Sequence, residues 1–133
     1  MKREIKFRVW YKKSRMMISL PSYDGGEIFI DNIFKDEDMI YLQYTGLVDK
    51  NKKEIYEGDI VKDYESLEHG NREIKYGEKG VDASDYEQYE VNIIGFYITN
   101  YLGNDNENEA LNSQKAQDLE IIGNIYENPQ LLK

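Results

Sequence analysis

Side chains that change polarity at every step set the strongest limit on what this chain can fold into. Ile5, Phe7 and Val9 alternate with Glu4, Lys6 and Arg8. In Met39 to Thr45, Leu42 and Tyr44 share one face while Tyr41, Gln43 and Thr45 share the other. Tyr89, Val91 and Ile93 repeat the pattern, as do Leu119, Ile121, Gly123 and Ile125 against Glu120, Ile122, Asn124 and Tyr126. A period of two marks a strand with one face buried, and no segment sustains the helical period instead. Twelve Tyr and four Phe suit a pleated, half-buried surface. The expected fold is all-β (mainly β): a small barrel or strongly twisted antiparallel sheet of about six to eight short strands, with one or two short helices and a long acidic loop. The 133 residues fit a single domain, 1–133.

The breaks between strands are legible too. Lys12-Lys13-Ser14 separates the first strand from Met16, Met17, Ile18 and Leu20, which reads as a hairpin ended by Pro21. Glu27 to Phe34 fits a strand or a helical stripe, and the strand is preferred. Gly46 is expected to end the Met39 to Thr45 strand, and Asp49 to Lys53 to form a polar turn. Gly58, between two short elements, predicts a positive φ. Tyr64 to Glu90 carries eight acidic and three basic residues, too long for an idle connection; it is read as a loop or a weak hairpin. Gly95 predicts a bulge or close backbone approach. Gly103 to Asn108 is a loop by composition, and Asn112 to Asp118 has room for one helical turn. Asn128-Pro129 stops the last strand, leaving Leu131 and Leu132 to tuck back onto the body.

Charge is unevenly spread. The net charge is −9, yet residues 1–20 carry seven basic side chains and one acidic one. The acidic remainder repels a phosphate backbone, which argues against nucleic acid as a partner. Arg8, Trp10, Tyr11, Lys12 and Lys13 form the one basic, aromatic segment that argues for it, by base stacking. The same charge split suits self-association, with the basic strand of one copy on the acidic body of another. No cysteine is present, so disulfides, thiolate metal sites and a cysteine nucleophile are excluded, and a reducing cytoplasm is the expected location. No apolar run approaches the ~18 residues of a membrane helix, and no secretory signal pattern opens the chain.

Catalytic motifs are missing. No phosphate-binding Gly-rich loop and no G-x-S-x-G elbow occurs, and one histidine, His69, cannot make a two-histidine metal site. His69 reads as a solvated loop residue. Glu57 and Asp59 flank Gly58 and are the one carboxylate pair that could serve hydrolysis. The plainer reading is a turn in which Asp59 accepts a nearby backbone N–H. The run Asn104 to Glu109 offers oxygen ligands but lacks the Gly and later Glu of a calcium loop. No catalytic, cofactor-binding or metal-ligating residue is assigned, and no cofactor is expected.

Three segments carry a family resemblance. They are Ile5 to Trp10 with Lys12-Lys13 and Met16-Met17, Leu42 to Leu47 with Asp49 to Val61, and Ile122 to Pro129. Together they resemble the YopX family. Two departures stand out: Val9 and Tyr11 flank the Trp where the family often has Ala and Asp, and Lys52 stands where it often has Gly. The resemblance implies a mostly β protein encoded by phages or prophages, without an established activity and without catalytic residues to carry over. A non-enzymatic accessory protein that binds a host or phage protein is therefore the leading functional expectation. Its candidate interaction surface is Arg8, Trp10, Lys12, Tyr44, Thr45, Asp49, Lys50, Glu57 and Asp59. Nucleic-acid binding through the first strand and a carboxylate-based hydrolase are the alternatives.

Overall fold

In the computed structural model the described residues are 5–19, 38–67, 70–82, 90–99 and 109–132. The segment around Glu27 to Phe34, His69 and the Asn104 to Asn108 run lie outside them. Nine strands occur among the described residues, against the six to eight expected: β1 (Phe7–Tyr11), β2 (Met16–Ser19), β3 (Met39–Val48), β4 (Glu54–Tyr56), β5 (Asp59–Asp63), β6 (Asn71–Asp82), β7 (Glu90–Ile98), β8 (Glu109–Ala110) and β9 (Leu119–Asn124). A short helix α1 (Ser113–Ala116) and a 3-10 turn (Pro129–Leu132) complete them. Every pairing is antiparallel. One sheet runs in the order β2-β1-β3-β4 and the other in the order β8-β7-β6-β5-β9, one of the two curling into half a barrel. No helix among the described residues is long and apolar enough to cross a membrane.

The alternation produces this arrangement where a strand covers the core. Ile55, Val61, Ile74, Ile98, Ala116 and Leu119 form one buried cluster, with Leu47, Leu111 and Ile121 packed against it. Each of its large aliphatic side chains contributes roughly 1.5–3 kcal/mol by leaving water. The β1–β2 hairpin forms as expected, with Val9 facing Ile18 and Tyr11 facing Met16. Asn112 caps α1 by accepting the Lys115 N–H at 2.8 Å, which satisfies an orphan donor of the first turn. Leu131 returns to the body, its carbonyl accepting from Asn71 Nδ2 at 2.8 Å.

Three expectations are corrected and one open alternative is decided. Gly46 does not end β3: it takes φ 85 inside the strand, where the β3–β4 register shifts between Tyr44 and Val48. Gly95 does not bulge, because β6 and β7 pair without a shift from Ile74↔Ile98 to Asp82↔Glu90 and Gly95 lies opposite Gly77. Residues 71–82 of the acidic stretch are a twelve-residue strand, so the hairpin reading holds there rather than the loop. Ile5 precedes β1 and is 65% exposed, not part of the interior row.

Candidate functional site

The chain crosses from the first sheet to the second at Tyr56 to Asp59, and this crossing gathers most of the candidate residues. Gly58 takes φ 86, a conformation that residues with a Cβ resist, and so lets β4 turn directly into β5. Its N–H donates to the Ile74 carbonyl at 2.8 Å, and its carbonyl accepts from Ile125 at 2.9 Å. Asp59 is 1% exposed. Its Oδ2 accepts the Tyr56 N–H at 2.8 Å, the turn expected from the sequence, and its Oδ1 accepts from Arg8 Nη2. Burial raises the Asp59 pKa, although Arg8 and the Tyr56 N–H oppose the shift. The Arg8 guanidinium also lies over the Tyr56 ring, 4.7 Å from its centroid.

Aromatic rings and two more carboxylates surround this ion pair. Trp10 stacks on Tyr126 at 5.6 Å, and Tyr44 leans on Tyr56 at 5.5 Å. The Lys6 ammonium sits 4.8 Å from the Tyr44 centroid and pairs with Glu54. Glu57 is half-buried, and burial lifts its pKa. Burial likewise lifts Glu73, with Lys75 opposing and the charge of Glu57 adding to the rise. Burial, then Glu57 and Glu73, raise Tyr126. The two glutamates and Tyr126 are thus electrostatic neighbours beside the Trp10 stack.

The tip of the β3–β4 hairpin is held by a second buried carboxylate. Asp49 is 3% exposed. Its Oδ1 accepts from Asn51 at 2.8 Å and Lys53 at 2.9 Å, and its Oδ2 accepts from Ile121 at 3.0 Å. With the Lys50 N–H donating to Leu119 O at 2.9 Å, this tip covers the outer edge of β9. Lys52 takes φ 64 here, a left-handed conformation that a residue with a Cβ adopts only at a cost. Thr45 Oγ1 donates to Ile55 O at 2.8 Å and accepts from the Leu47 N–H at 3.2 Å.

A charge network at the opposite end of β5 was not foreseen. Arg72 and Asp63 are both fully buried. Arg72 Nη1 donates to Asp63 Oδ2 and Glu109 Oε1 at 2.9 Å each, and its Nε donates to Thr99 O at 2.8 Å. Lys115 Nζ lies 2.7 Å from Asp63 Oδ2 and 3.5 Å from both Glu65 and Glu109. Burial pushes Asp63 up, but the hydrogen bonds from Lys115 and the Glu65 N–H, with the charge of Arg72, outweigh it and hold the carboxyl below its usual range. Burial lowers Lys115 and its acidic partners more than reverse that. Beside the network is a cavity of about 230 Å³ lined by Glu65, Glu109, Asn112, Gln114, Lys115 and Asp118. Neither Glu57 nor Asp59 lies on its wall. The sequence held one faint signal of the network: Arg72 shares strand parity with the core residue Ile74.

The nine candidates divide by burial. Trp10, Tyr44, Asp49 and Asp59 are buried; Arg8, Thr45 and Glu57 are partly so; Lys12 and Lys50 are exposed. Arg8, Tyr44, Glu57 and Asp59 come together at the sheet crossing, with Trp10 on its Tyr126 flank. Lys12 sits in the β1–β2 turn, and Asp49 and Lys50 at the hairpin tip. No curated protein matches the chain. The crystal structure of protein EF1440 from Enterococcus faecalis is similar in fold, with a TM-score of 0.50 and 24% identity over 97% of this chain and 98% of that one. The family model for YopX protein matches residues 6–133, nearly the whole chain, and the protein belongs to the YopX family.

Proposed function

We propose that this YopX chain is a phage- or prophage-encoded accessory protein of the host cytoplasm that acts by binding another protein rather than by catalysis. One observation carries this reading. Met16 and Ile18 on β2 are 53% and 40% exposed, and β2 is the end strand of its sheet among the described residues. An end strand with unpaired backbone groups is a template for an added strand. The exposed Lys12, Lys13 and Arg15 in the adjoining turn favour an extended, acidic segment as the partner. Of the two carboxylates considered for hydrolysis, Asp59 is engaged by Arg8 and a backbone N–H, and Glu57 lies 3.5 Å from the Gln43 N–H.

The test is capture of partners from a lysate of phage-carrying cells by the native chain and by a Met16→Asp, Ile18→Asp variant. Retention by the native chain alone supports the reading. No retained protein, or equal retention by both, overturns it. Base stacking has less support, because Trp10 is 7% exposed and stacked on Tyr126. Binding of single-stranded DNA at low salt that falls steeply with added salt would favour that alternative instead.

A further inference from the structure

Among the described residues the two sheets end at β2, β4, β8 and β9. The outer edge of β9 is covered by the hairpin tip, through the Asp49 carboxylate to Ile121 and the Lys50 N–H to Leu119. In β4, Ile55 and Tyr56 are buried, and β8 is only two residues long. β2 lacks such protection: Met16-Met17-Ile18-Ser19 carries no charged residue and no proline, two devices that blunt an open edge. Met16 lies opposite Tyr11 and Ile18 opposite Val9, so the exposed Met16 and Ile18 share one face of the sheet. Residues 12–15 join β1 to β2 at the Met16 end and hold three exposed cations, Lys12, Lys13 and Arg15. None of the three forms a salt bridge among the described residues. Asp38 also reaches this turn, its Oδ1 accepting the Lys13 N–H at 2.9 Å, so three cations stand against one carboxylate. The other end of β2 is Ser19, exposed and uncharged.

A strand added to β2 meets these features in a fixed order. Its residues opposite Met16 and Ile18 share their face and come within side-chain contact, which favours apolar groups at alternate positions. Every strand pair in this protein is antiparallel, and antiparallel pairing is slightly more stable per residue than parallel. β2 runs from the basic turn toward Ser19, so an antiparallel neighbour runs from Ser19 toward the turn. Its C-terminal side therefore meets Lys12, Lys13 and Arg15, where acids are favoured. We propose, resting on the protein-binding reading of β2, that the partner supplies an extended segment with apolar side chains at alternate positions, followed on its C-terminal side by Asp or Glu, and that this segment adds antiparallel to β2. A second copy of the chain does not fit that description: its own β2, paired antiparallel, brings Ser19 rather than a carboxylate to the turn. A segment with acids on the N-terminal side of its apolar run reaches the turn only by pairing in parallel. The order of residues thus selects the partner as much as its charge does.

Selection from a displayed library tests the order. The library holds random peptides of about twelve residues, long enough for a strand and its flank. The full chain is the bait, and peptides that also bind the Met16→Asp, Ile18→Asp variant are removed. The survivors should share the alternating apolar pattern with acids on its C-terminal side. A variant with Lys12→Glu, Lys13→Glu and Arg15→Glu should bind them about tenfold more weakly, a few-fold for each exposed charge pair. A nitroxide at the C-terminal end of a survivor should broaden the amide signals of Lys13 and Arg15, and one at its N-terminal end the signal of Ser19. Acids on the N-terminal side, no enrichment of acids, equal binding to the charge-reversed variant, or the opposite broadening each overturns the proposal. So does a selection that yields no peptide dependent on β2. In any of those cases a lysate partner lost with the Met16→Asp, Ile18→Asp variant leaves the protein-binding reading standing, so the two failures are told apart. Far-UV circular dichroism checks that both variants fold; should one fail, the nitroxide measurement on the native chain decides alone.

Discussion

Replacing Arg72 with Met gives the sharpest test of what holds the second sheet. The guanidinium is fully buried and joins three elements: Asp63 on β5, Glu109 on β8 and the Thr99 carbonyl after β7. Met approximates its apolar stem and supplies none of its donors. Asp63 is not wholly orphaned, because Lys115 and the Glu65 N–H remain bound to it. Glu109, with a side chain 41% exposed, turns to water. The cost should therefore sit near the lower end of that for breaking a buried pair, about 3 kcal/mol. For a chain this size that lowers Tm by roughly 10–15 °C. The assay is urea unfolding followed by circular dichroism, with the midpoint falling and the slope unchanged. A second variant, Arg72→Met with Asp63→Leu, removes the stranded charge and should recover about 1 kcal/mol or more. A loss below about 1 kcal/mol for Arg72→Met would refute the reasoning, because a fully buried pair cannot be broken so cheaply. Further loss in the double variant would refute the claim that Asp63 is the stranded partner.

Other expectations follow from single positions. Lys52→Gly should raise stability by about 0.5–1 kcal/mol, since a left-handed non-glycine residue carries a penalty that glycine relieves; a loss in chemical denaturation would contradict the φ of 64. Gly123→Ala should cost about 1–3 kcal/mol, because its Cβ would come within 2.6 Å of Asn128 Oδ1 and 2.9 Å of Leu131 Cδ1; an unchanged melting curve would deny that approach. Glu57, Asp59 and Glu73 have raised pKa values, so the folded state keeps their protons longer and stability falls as pH rises from the ordinary carboxylate values through the raised ones. Glu57→Gln with Glu73→Gln should flatten that fall in melts taken across mildly acidic pH. Asp63 has the opposite sign: its contribution is present above the ordinary Asp value of 3.8 and is lost as pH falls through its depressed pKa, an acid-side loss that Asp63→Asn should remove.

Strands that bury one clean face were legible, and those that bury charge were not. β3 and β9 announce themselves because Leu42 and Tyr44, or Leu119 and Ile121, alternate with polar neighbours. β6 hides, because its inward row reads Arg72, Ile74, and Tyr76 is 56% exposed. A buried arginine looks like a surface residue until partners from positions 63 and 109 are brought to it, and nothing local in the sequence specifies those contacts. Glycine was ambiguous in the same way: Gly58 turns as expected, whereas Gly46 bends a strand and Gly95 pairs within one. The nine candidate residues stand out by chemical type and by the motifs they sit in. Type alone does not separate an Asp that accepts backbone N–H groups, as Asp49 and Asp59 do, from one that faces a partner.

The block from Leu42 to Val61, which carries much of the family resemblance, is the joint between the two sheets. It must reverse direction twice within a few residues, once at Asp49 to Lys53 and once at Glu57 to Gly58. Short reversals leave backbone N–H groups that neither sheet can satisfy. At each reversal a buried aspartate accepts them and reaches across to the other sheet or its partner strand: Asp49 to Ile121 on β9, Asp59 to Arg8 on β1. Apolar residues at those two positions would pack equally well and leave the donors unpaired at about 1–3 kcal/mol each. The two buried aspartates of the motif are therefore engaged by the fold, and side chains it leaves exposed, such as Met16 and Ile18 on the β2 edge, are the ones placed to meet a partner.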